Sequence, residues 1–111
     1  MQFLEKIHQI IEENLDNSDF NIDAIATTIG LSRSAFFKKL KSLIGLAPVD
    51  LVKDIRLNKS VELIKNTNMS ISEIAFAVGF KDSGYYSKCF RKKYNQTPRE
   101  YINEVRKSAT G

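Results

Sequence analysis

The sequence has little of what small proteins use for covalent or metal-based stability. Its 111 residues contain one cysteine, Cys89, and one histidine, His8. A single cysteine cannot form an intrachain disulfide or a cysteine-based zinc site, and a single histidine supplies no histidine cluster for a metal. The composition therefore predicts a protein without metal or cofactor in a reducing compartment, and we expect it to be cytoplasmic.

Long apolar runs and catalytic groupings are also missing. No stretch approaches the ~20 apolar residues that span a bilayer, and residues 1–5 lack the basic and apolar regions of a signal peptide, so we expect no membrane contact by this segment. There is no Ser/His/Asp set and no glycine-rich phosphate loop. We therefore expect no enzyme activity, a surface position for His8 and a small core role for Cys89.

Charge is unevenly distributed along the chain. The sequence has 17 lysines and arginines against 13 acids, and six of those acids lie within residues 1–23. Two basic stretches follow, at 33–41 and 81–99, and both contain aromatic residues. Clustered positive charge of this kind is expected of a surface that binds phosphates, although a single basic run is more often only a solvated face.

The sequence repeats itself once. IDAIATTIGL at 22–31 matches ISEIAFAVGF at 71–80 in its apolar, alanine and glycine positions. With one residue inserted, the match continues from Phe36 and Tyr86 to Pro48 and Pro98. Two copies are too few for a solenoid, so the repeat indicates a duplicated structural unit.

The residues at the ends of each copy predict a helix, a tight turn and a second helix. Ser70 and Glu73 have capping-box spacing, and Gly30 and Gly79 lie where a left-handed residue ends a helix. Ser32 and Asp82 can then cap the following helices, which bury one apolar face and carry polar and basic residues on the other.

The remaining segments complete an all-α prediction of seven helices without a strand. We expect one domain over residues 1–111, an opening helix at 3–15, helix-turn-helix units at about 21–45 and 70–95, a long linking helix at about 48–65 and a C-terminal helix at about 98–106. In a helix-turn-helix, the second helix enters the DNA major groove. The linking helix would be about 27 Å long, comparable with the ~34 Å between successive major grooves on one DNA face.

Several segments of the chain form a recognisable set of motifs: GLSRS at 30–34, IA at 74–75, VGFKDS at 78–83, FRK at 90–92 and TP at 97–98. Together they resemble the AraC/XylS-type transcriptional regulators. The resemblance implies a DNA-binding domain of two homeodomain-like halves, with two recognition helices in consecutive major grooves. The SRS and KLK segments of the first copy are also similar to the C-terminal output domains of hybrid two-component sensors.

The resemblance places base-reading positions on the exposed faces of the two recognition helices. In the first copy they are Ser34, Phe37 and Lys38; Lys38 could donate to guanine, while Phe37 either contacts a thymine methyl or packs against the linking helix. In the second copy the corresponding face carries Ser83, Gly84, Ser87 and Lys88. The short side chains of the second copy predict that it adds affinity more than specificity.

A further set of residues is predicted to contact the DNA backbone. Tyr85 either contacts a sugar of the DNA backbone or packs against the protein. The backbone amides at the helix start near Thr97 could hold a phosphate. The backbone candidates are Ser32, Arg33, Lys41, Lys81, Tyr85, Arg91, Lys92, Lys93 and Thr97.

The sequence thus predicts a sequence-specific regulator domain that binds double-stranded DNA. The alternative is an all-helical protein-interaction module whose basic faces dock an acidic partner. We expect the chain to be the output part of a longer signalling regulator, with dimerisation through parts absent here and RNA polymerase as a further partner.

Overall fold

The computed structural model describes residues 2–17 and 20–110. Over these residues it contains seven α-helices and no strand, which confirms the predicted fold class. The helices are α1 (Gln2–Glu13), α2 (Ile22–Thr28), α3 (Arg33–Ile44), α4 (Pro48–Asn66), α5 (Ile71–Ala77), α6 (Ser83–Tyr94) and α7 (Pro98–Thr110).

The chain forms two compact units, and the boundary between them falls inside α4, after Ile55. Unit 1 contains α1 to α3 and the beginning of α4, and unit 2 contains the rest of the chain. Each unit holds a helix of 7 residues followed by one of 12 residues. The duplication in the sequence is therefore a duplication of structure, while a single domain over residues 1–111 stays a prediction.

The turns between the paired helices are alike in both units. Gly30 and Gly79 adopt φ values of 76° and 95°, the left-handed region that a side chain disfavours. In unit 1 the amides of Gly30 and Leu31 donate to the carbonyls of Thr27 and Ala26. Unit 2 repeats both bonds, and the pattern is a Schellman motif that ends each short helix at the predicted glycine.

Side-chain caps begin the helices where the sequence predicts them. Ser32 Oγ accepts from the amide of Ala35, and Ser70 forms a capping box with Glu73, in which the Glu73 carboxylate accepts from the Ser70 amide at 3.0 Å. These bonds satisfy amides that a helix start leaves unpaired. The hydrogen bond from the Ser70 backbone amide, with a smaller contribution from the Ser70 side chain, lowers the pKa of Glu73.

In unit 1, α2 packs against both α1 and α3. The buried side chains come from all three helices, and Phe36 of α3 is fully inaccessible to solvent. The ring of Phe3 in α1 lies edge-on to Phe36, with 6.4 Å between the centroids. These contacts fix which face of α3 is turned inward.

In unit 2, α6 packs against both α5 and α7. Phe90 is fully buried and contacts three tyrosine rings, those of Tyr86, Tyr94 and Tyr101, at centroid distances of 4.6 to 5.9 Å. On α7, the Arg106 guanidinium donates to the carbonyls of Ile64 and Met69. The aromatic cluster fixes the inward face of α6, as Phe36 does for α3.

Two helix ends differ from the prediction. The opening helix stops at Glu13, because the Asn14 side chain donates from Nδ2 to the carbonyl of Ile10 at 2.9 Å. Leu15 is nevertheless buried beyond the helix end. The last helix runs past residue 106 to Thr110, since no glycine or proline follows to stop it earlier.

Candidate nucleic-acid interface

α3 separates a buried face from a polar, basic one. Phe36 and Leu40 have no exposed surface, whereas Ser34, Lys38 and Lys41 are exposed on the opposite side. The sequence has no acidic residue between Asp23 and Asp50, so no acid within this segment neutralises the positive charge of the exposed face. Such a face attracts phosphates and presents side chains that can reach base edges.

Phe37 belongs to this exposed face. Its side chain is 47% exposed, so it is not a core residue of unit 1. An apolar ring next to Lys38 offers a surface for a thymine methyl, and its exposure favours that role over packing. The neighbouring Lys39 points elsewhere, because its ammonium lies 4.4 Å from the centroid of the Phe3 ring.

The start of α3 is tied to α2 by charge. Arg33 Nε lies 3.6 Å from Asp23 Oδ1, and both side chains are largely exposed. An exposed ion pair of this kind contributes little to stability, so Arg33 can exchange Asp23 for a phosphate at small cost. Ser32 is exposed at the helix start, and its hydroxyl caps the amide of Ala35.

α6 has a similar division, with smaller groups on its outer face. Tyr86 and Phe90 are fully buried and Cys89 is 8% exposed, which confirms the predicted core position of the cysteine. Gly84 and Lys88 are exposed, but Ser83 and Ser87 are half-buried. The first turns of α6 therefore present few long side chains.

Tyr85 and Asp82 shape the beginning of α6. Tyr85 is 50% exposed and its ring lies 5.9 Å from that of Phe80, so the ring is partly packed against the protein. Asp82 caps the helix, because its Oδ1 accepts from the Gly84 amide at 2.8 Å. Sequence reasoning identified Asp82 as a cap and gave it no part in the interface.

The basic residues of the last turn of α6 differ in their surroundings. Arg91 and Lys92 are exposed, and so is Lys81 before the helix. Lys93 is half-buried, and its ammonium donates to Asn58 Oδ1 at 2.8 Å. Sequence reasoning missed Asn58, since nothing in the sequence signals a contact between residues 35 positions apart.

The sequence predicts that backbone amides at the helix start near Thr97 could hold a phosphate. In the structure, two of these amides already donate hydrogen bonds within the chain. The Thr97 amide donates to Glu100 Oε1 at 3.0 Å, and the Glu100 amide donates to Thr97 Oγ1 at 3.1 Å. The bonds that it accepts lower the pKa of Glu100, so a carboxylate occupies this helix start. A phosphate would have to compete with that carboxylate.

The described residues contain no cluster of three or more histidine, cysteine or acidic side chains that could hold a metal ion. His8 is exposed on α1, as expected. Within residues 2–17 and 20–110, no helix is both long and apolar enough to cross a membrane.

Comparison with known proteins gives consistent matches over nearly the whole chain. The sequence model of a family described as "Helix-turn-helix domain" matches residues 25–104. The chain is 38% identical over 102 residues to Histidine kinase P4 of Formosa agariphila, a match that covers 92% of this chain and 7% of the kinase. It is also 31% identical to the transcriptional regulator MtrA of Neisseria gonorrhoeae, of which it spans 34%.

Solved structures with a similar fold include the C-terminal domain of a response regulator and a transcriptional regulator. One is the C-terminal domain of the two-component response regulator yesN from Fusobacterium nucleatum, with a TM-score of 0.83, 30% identity and coverage of 92% of this chain and 99% of that one. Another is a transcriptional regulator with an AraC-type DNA-binding domain from Chromobacterium violaceum, with a TM-score of 0.85, 29% identity and coverage of 92% and 90%.

Proposed function

This chain belongs to the AraC-type helix-turn-helix family of DNA-binding transcription regulators, and on that premise we propose that it binds one DNA duplex with α3 and α6 in adjacent major grooves. The duplicated units support the proposal, since each contributes one 12-residue helix with a buried aromatic face and an exposed outer face. A recognition helix of this kind enters a major groove and reads base edges.

The outer face of α3 carries most of the base reading. This assignment is supported by the exposure of Ser34, Phe37 and Lys38 on a helix whose Phe36 and Leu40 have no accessible surface. Lys38 donates to guanine acceptors, and Phe37 contacts a thymine methyl. In α6 the base candidates are Ser83, Gly84, Ser87 and Lys88, of which Lys88 alone has a long side chain.

Contacts with the DNA backbone fix the position of both recognition helices on the duplex. In unit 1 these come from Ser32, Arg33 and Lys41. In unit 2 the candidates are Lys81, Tyr85, Arg91, Lys92, Lys93 and Thr97. Lys93 and Thr97 rank last among them, because Asn58 holds the Lys93 ammonium and Glu100 occupies the amide of Thr97.

We propose that the chain is the output domain of a larger signalling regulator in the cytoplasm. The support is that it spans only 7% of a histidine kinase and about a third of a curated regulator, and that it resembles the C-terminal domain of a response regulator. Dimerisation then occurs through other parts of the longer protein, RNA polymerase is a further partner, and this domain binds DNA without catalysing a reaction.

Selection of binding sites from a random duplex library, at two salt concentrations, tests the proposal. We expect enrichment of two short motifs about 10 bp apart, the spacing of successive major grooves on one DNA face. A single motif would contradict base reading by both units. Binding that is displaced by an acidic protein as readily as by duplex DNA would instead support a protein-interaction module.

A further inference from the structure

We propose that Asn58 is a positioning residue for DNA recognition by unit 2. Its side-chain oxygen holds the last turn of α6 and thereby fixes how the outer face of this helix meets a major groove. Asn58 lies on α4, in the part of that helix that belongs to unit 2. The inference rests on the proposed function, because it requires α6 to enter a groove, and it assigns no DNA contact to Asn58 itself.

Two adjacent residues of α6 donate to the same oxygen of Asn58. The Lys93 ammonium lies 2.8 Å from Asn58 Oδ1, and the Tyr94 hydroxyl lies 2.9 Å from it. An amide oxygen has two lone pairs, so these two bonds use its acceptor capacity fully. The bond from the ammonium is charge-assisted, which makes it the stronger of the two. α6 ends at Tyr94, so one atom of α4 holds the end of the proposed recognition helix.

The two bonds lie on the inward face of α6. Lys93 and Tyr94 follow the buried Cys89 and Phe90 by four residues, and residues four apart share one face of a helix. Burial of apolar groups is favourable but non-directional, so it resists separation of the helices more than rotation. A hydrogen bond, in contrast, weakens steeply when its angle changes. The bonds to Asn58 therefore add a directional restraint to the apolar packing of this face.

The same turn carries a side chain that we expect to meet the DNA. Arg91 is exposed and lies two residues before Lys93, which places it on the opposite side of the helix. Lys88, the base candidate with a long side chain, is exposed one turn earlier. A binding site must hold its groups within about 0.5 Å of the productive geometry. Rotation or tilt of the last turn would move both side chains, so Asn58 acts on DNA reading through α6.

The corresponding positions of unit 1 cannot form these bonds. They are occupied by Leu43 and Ile44, whose side chains have no hydrogen-bond donor. Loss of the Asn58 oxygen should therefore affect reading by α6 and leave reading by α3 unchanged. The half-site that faces α3 thus serves as an internal control.

Binding to three duplexes tests the role of Asn58: the duplex that the wild type selects, and copies of it with the first or the second half-site scrambled. Asn58→Ala should reduce the preference for an intact second half-site by about five- to tenfold and leave the preference for an intact first half-site unchanged. Asn58→Asp keeps an oxygen acceptor for both donors and should restore the second preference. Its added charge should weaken binding to all three duplexes alike.

Two further variants sharpen the comparison. Tyr94→Phe removes one of the two donors and should give a smaller loss of the second preference than Asn58→Ala. Asn66→Ala is the matched control, because it removes the same exposed side chain from the end of α4, and it should bind as the wild type does. Thermal unfolding checks that each variant is folded at the temperature of the binding assay.

The outcomes separate this inference from the proposed function. A merely structural role for Asn58 would lower binding to all three duplexes in proportion to the unfolded fraction and leave both preferences intact, which would overturn the inference alone. Equal losses of both preferences in Asn58→Ala, or no restoration by Asn58→Asp, would also overturn it. A wild type that selects no second half-site would overturn both proposals.

Discussion

Arg91 and Lys93 lie two residues apart on α6, but their charges meet different surroundings. Arg91 is exposed, whereas the Lys93 ammonium donates to Asn58 Oδ1 at 2.8 Å and lies 5.3 Å from the centroid of the Tyr94 ring. We expect Arg91 to neutralise a phosphate and Lys93 to remain bound to Asn58. Arg91→Ala should therefore change the salt dependence of DNA binding, and Lys93→Ala should not.

The size of the effect follows from counterion release. Each phosphate that a protein neutralises adds about 0.9 to the slope of log K against log salt, so one contact accounts for a roughly 3.5-fold loss of affinity between 50 and 200 mM salt. Arg91→Ala should lower the slope by about 0.9. Lys93→Ala should leave the slope unchanged and lower the free energy of unfolding by about 1 kcal/mol or less, the contribution of one intramolecular hydrogen bond.

Fluorescence anisotropy with one labelled duplex at 50, 100 and 200 mM salt measures the slopes, and thermal unfolding measures stability. Lys59→Ala is the matched control, because it removes the same unit of charge from α4, where Lys59 pairs with Glu62 at 3.0 Å. Its slope should equal that of the wild type. Equal slope losses in Lys93→Ala and Arg91→Ala would refute the reasoning, as would a loss in the control.

Three further predictions concern the first recognition helix, the helix ends and the loss of stability at low pH. Lys38→Ala should cost about 1 to 3 kcal/mol of binding free energy and relax one base position in site selection; a uniform loss on all sequences would contradict base reading. Gly45→Ala should destabilise the fold by about 1 kcal/mol in thermal unfolding, because Gly45 adopts φ 74°. Asn95→Gly, at the equivalent site with φ 61°, should cost much less, and equal losses would argue against a backbone cause. The capping hydrogen bonds lower the pKa values of Glu73 and Glu100. The stability that these bonds confer is therefore complete above the ordinary pKa of a glutamate, and it is lost as the pH falls through the lowered pKa values. The urea midpoint should fall between pH 6 and pH 3, and Glu73→Gln should reduce that fall; an identical pH profile for wild type and variant would exclude Glu73 as a contributor.

Much of the fold could be predicted from sequence because short-range chemistry decides it. The Ser70–Glu73 capping box, the Asp82 cap and the glycine turns involve residues two to five positions apart, and each occurs where the sequence predicts it. Apolar spacing in α3 and α6 likewise predicts which faces are buried. A local contact also explains why α1 is shorter than predicted, since the Asn14 side chain donates to the Ile10 carbonyl where the helix ends.

The surroundings of particular charges could not be predicted in the same way. Lys93 and Asn58 are 35 residues apart, and Arg106 and Met69 are 37 apart. Both contacts depend on how helices pack, and no periodicity in the sequence encodes them. Sequence reasoning therefore proposed the basic residues as one group and did not separate Arg91 from Lys93 by what each contacts.

The duplication explains why the two units share a fold and differ in what they can read. Phe36 and Tyr86 occupy equivalent positions and are both fully buried, so packing constrains them to large rings. Packing constrains the outer faces less, and there the exposed Phe37 of the first copy corresponds to the half-buried Ser87 of the second. Ser32 and Asp82 differ in charge, although each caps its helix through a side-chain oxygen. If both helices read bases as proposed, their two unlike faces match two unlike half-sites, and the domain then binds such a duplex in one orientation only. The divergence of the two copies would thereby set the direction of the domain on its DNA.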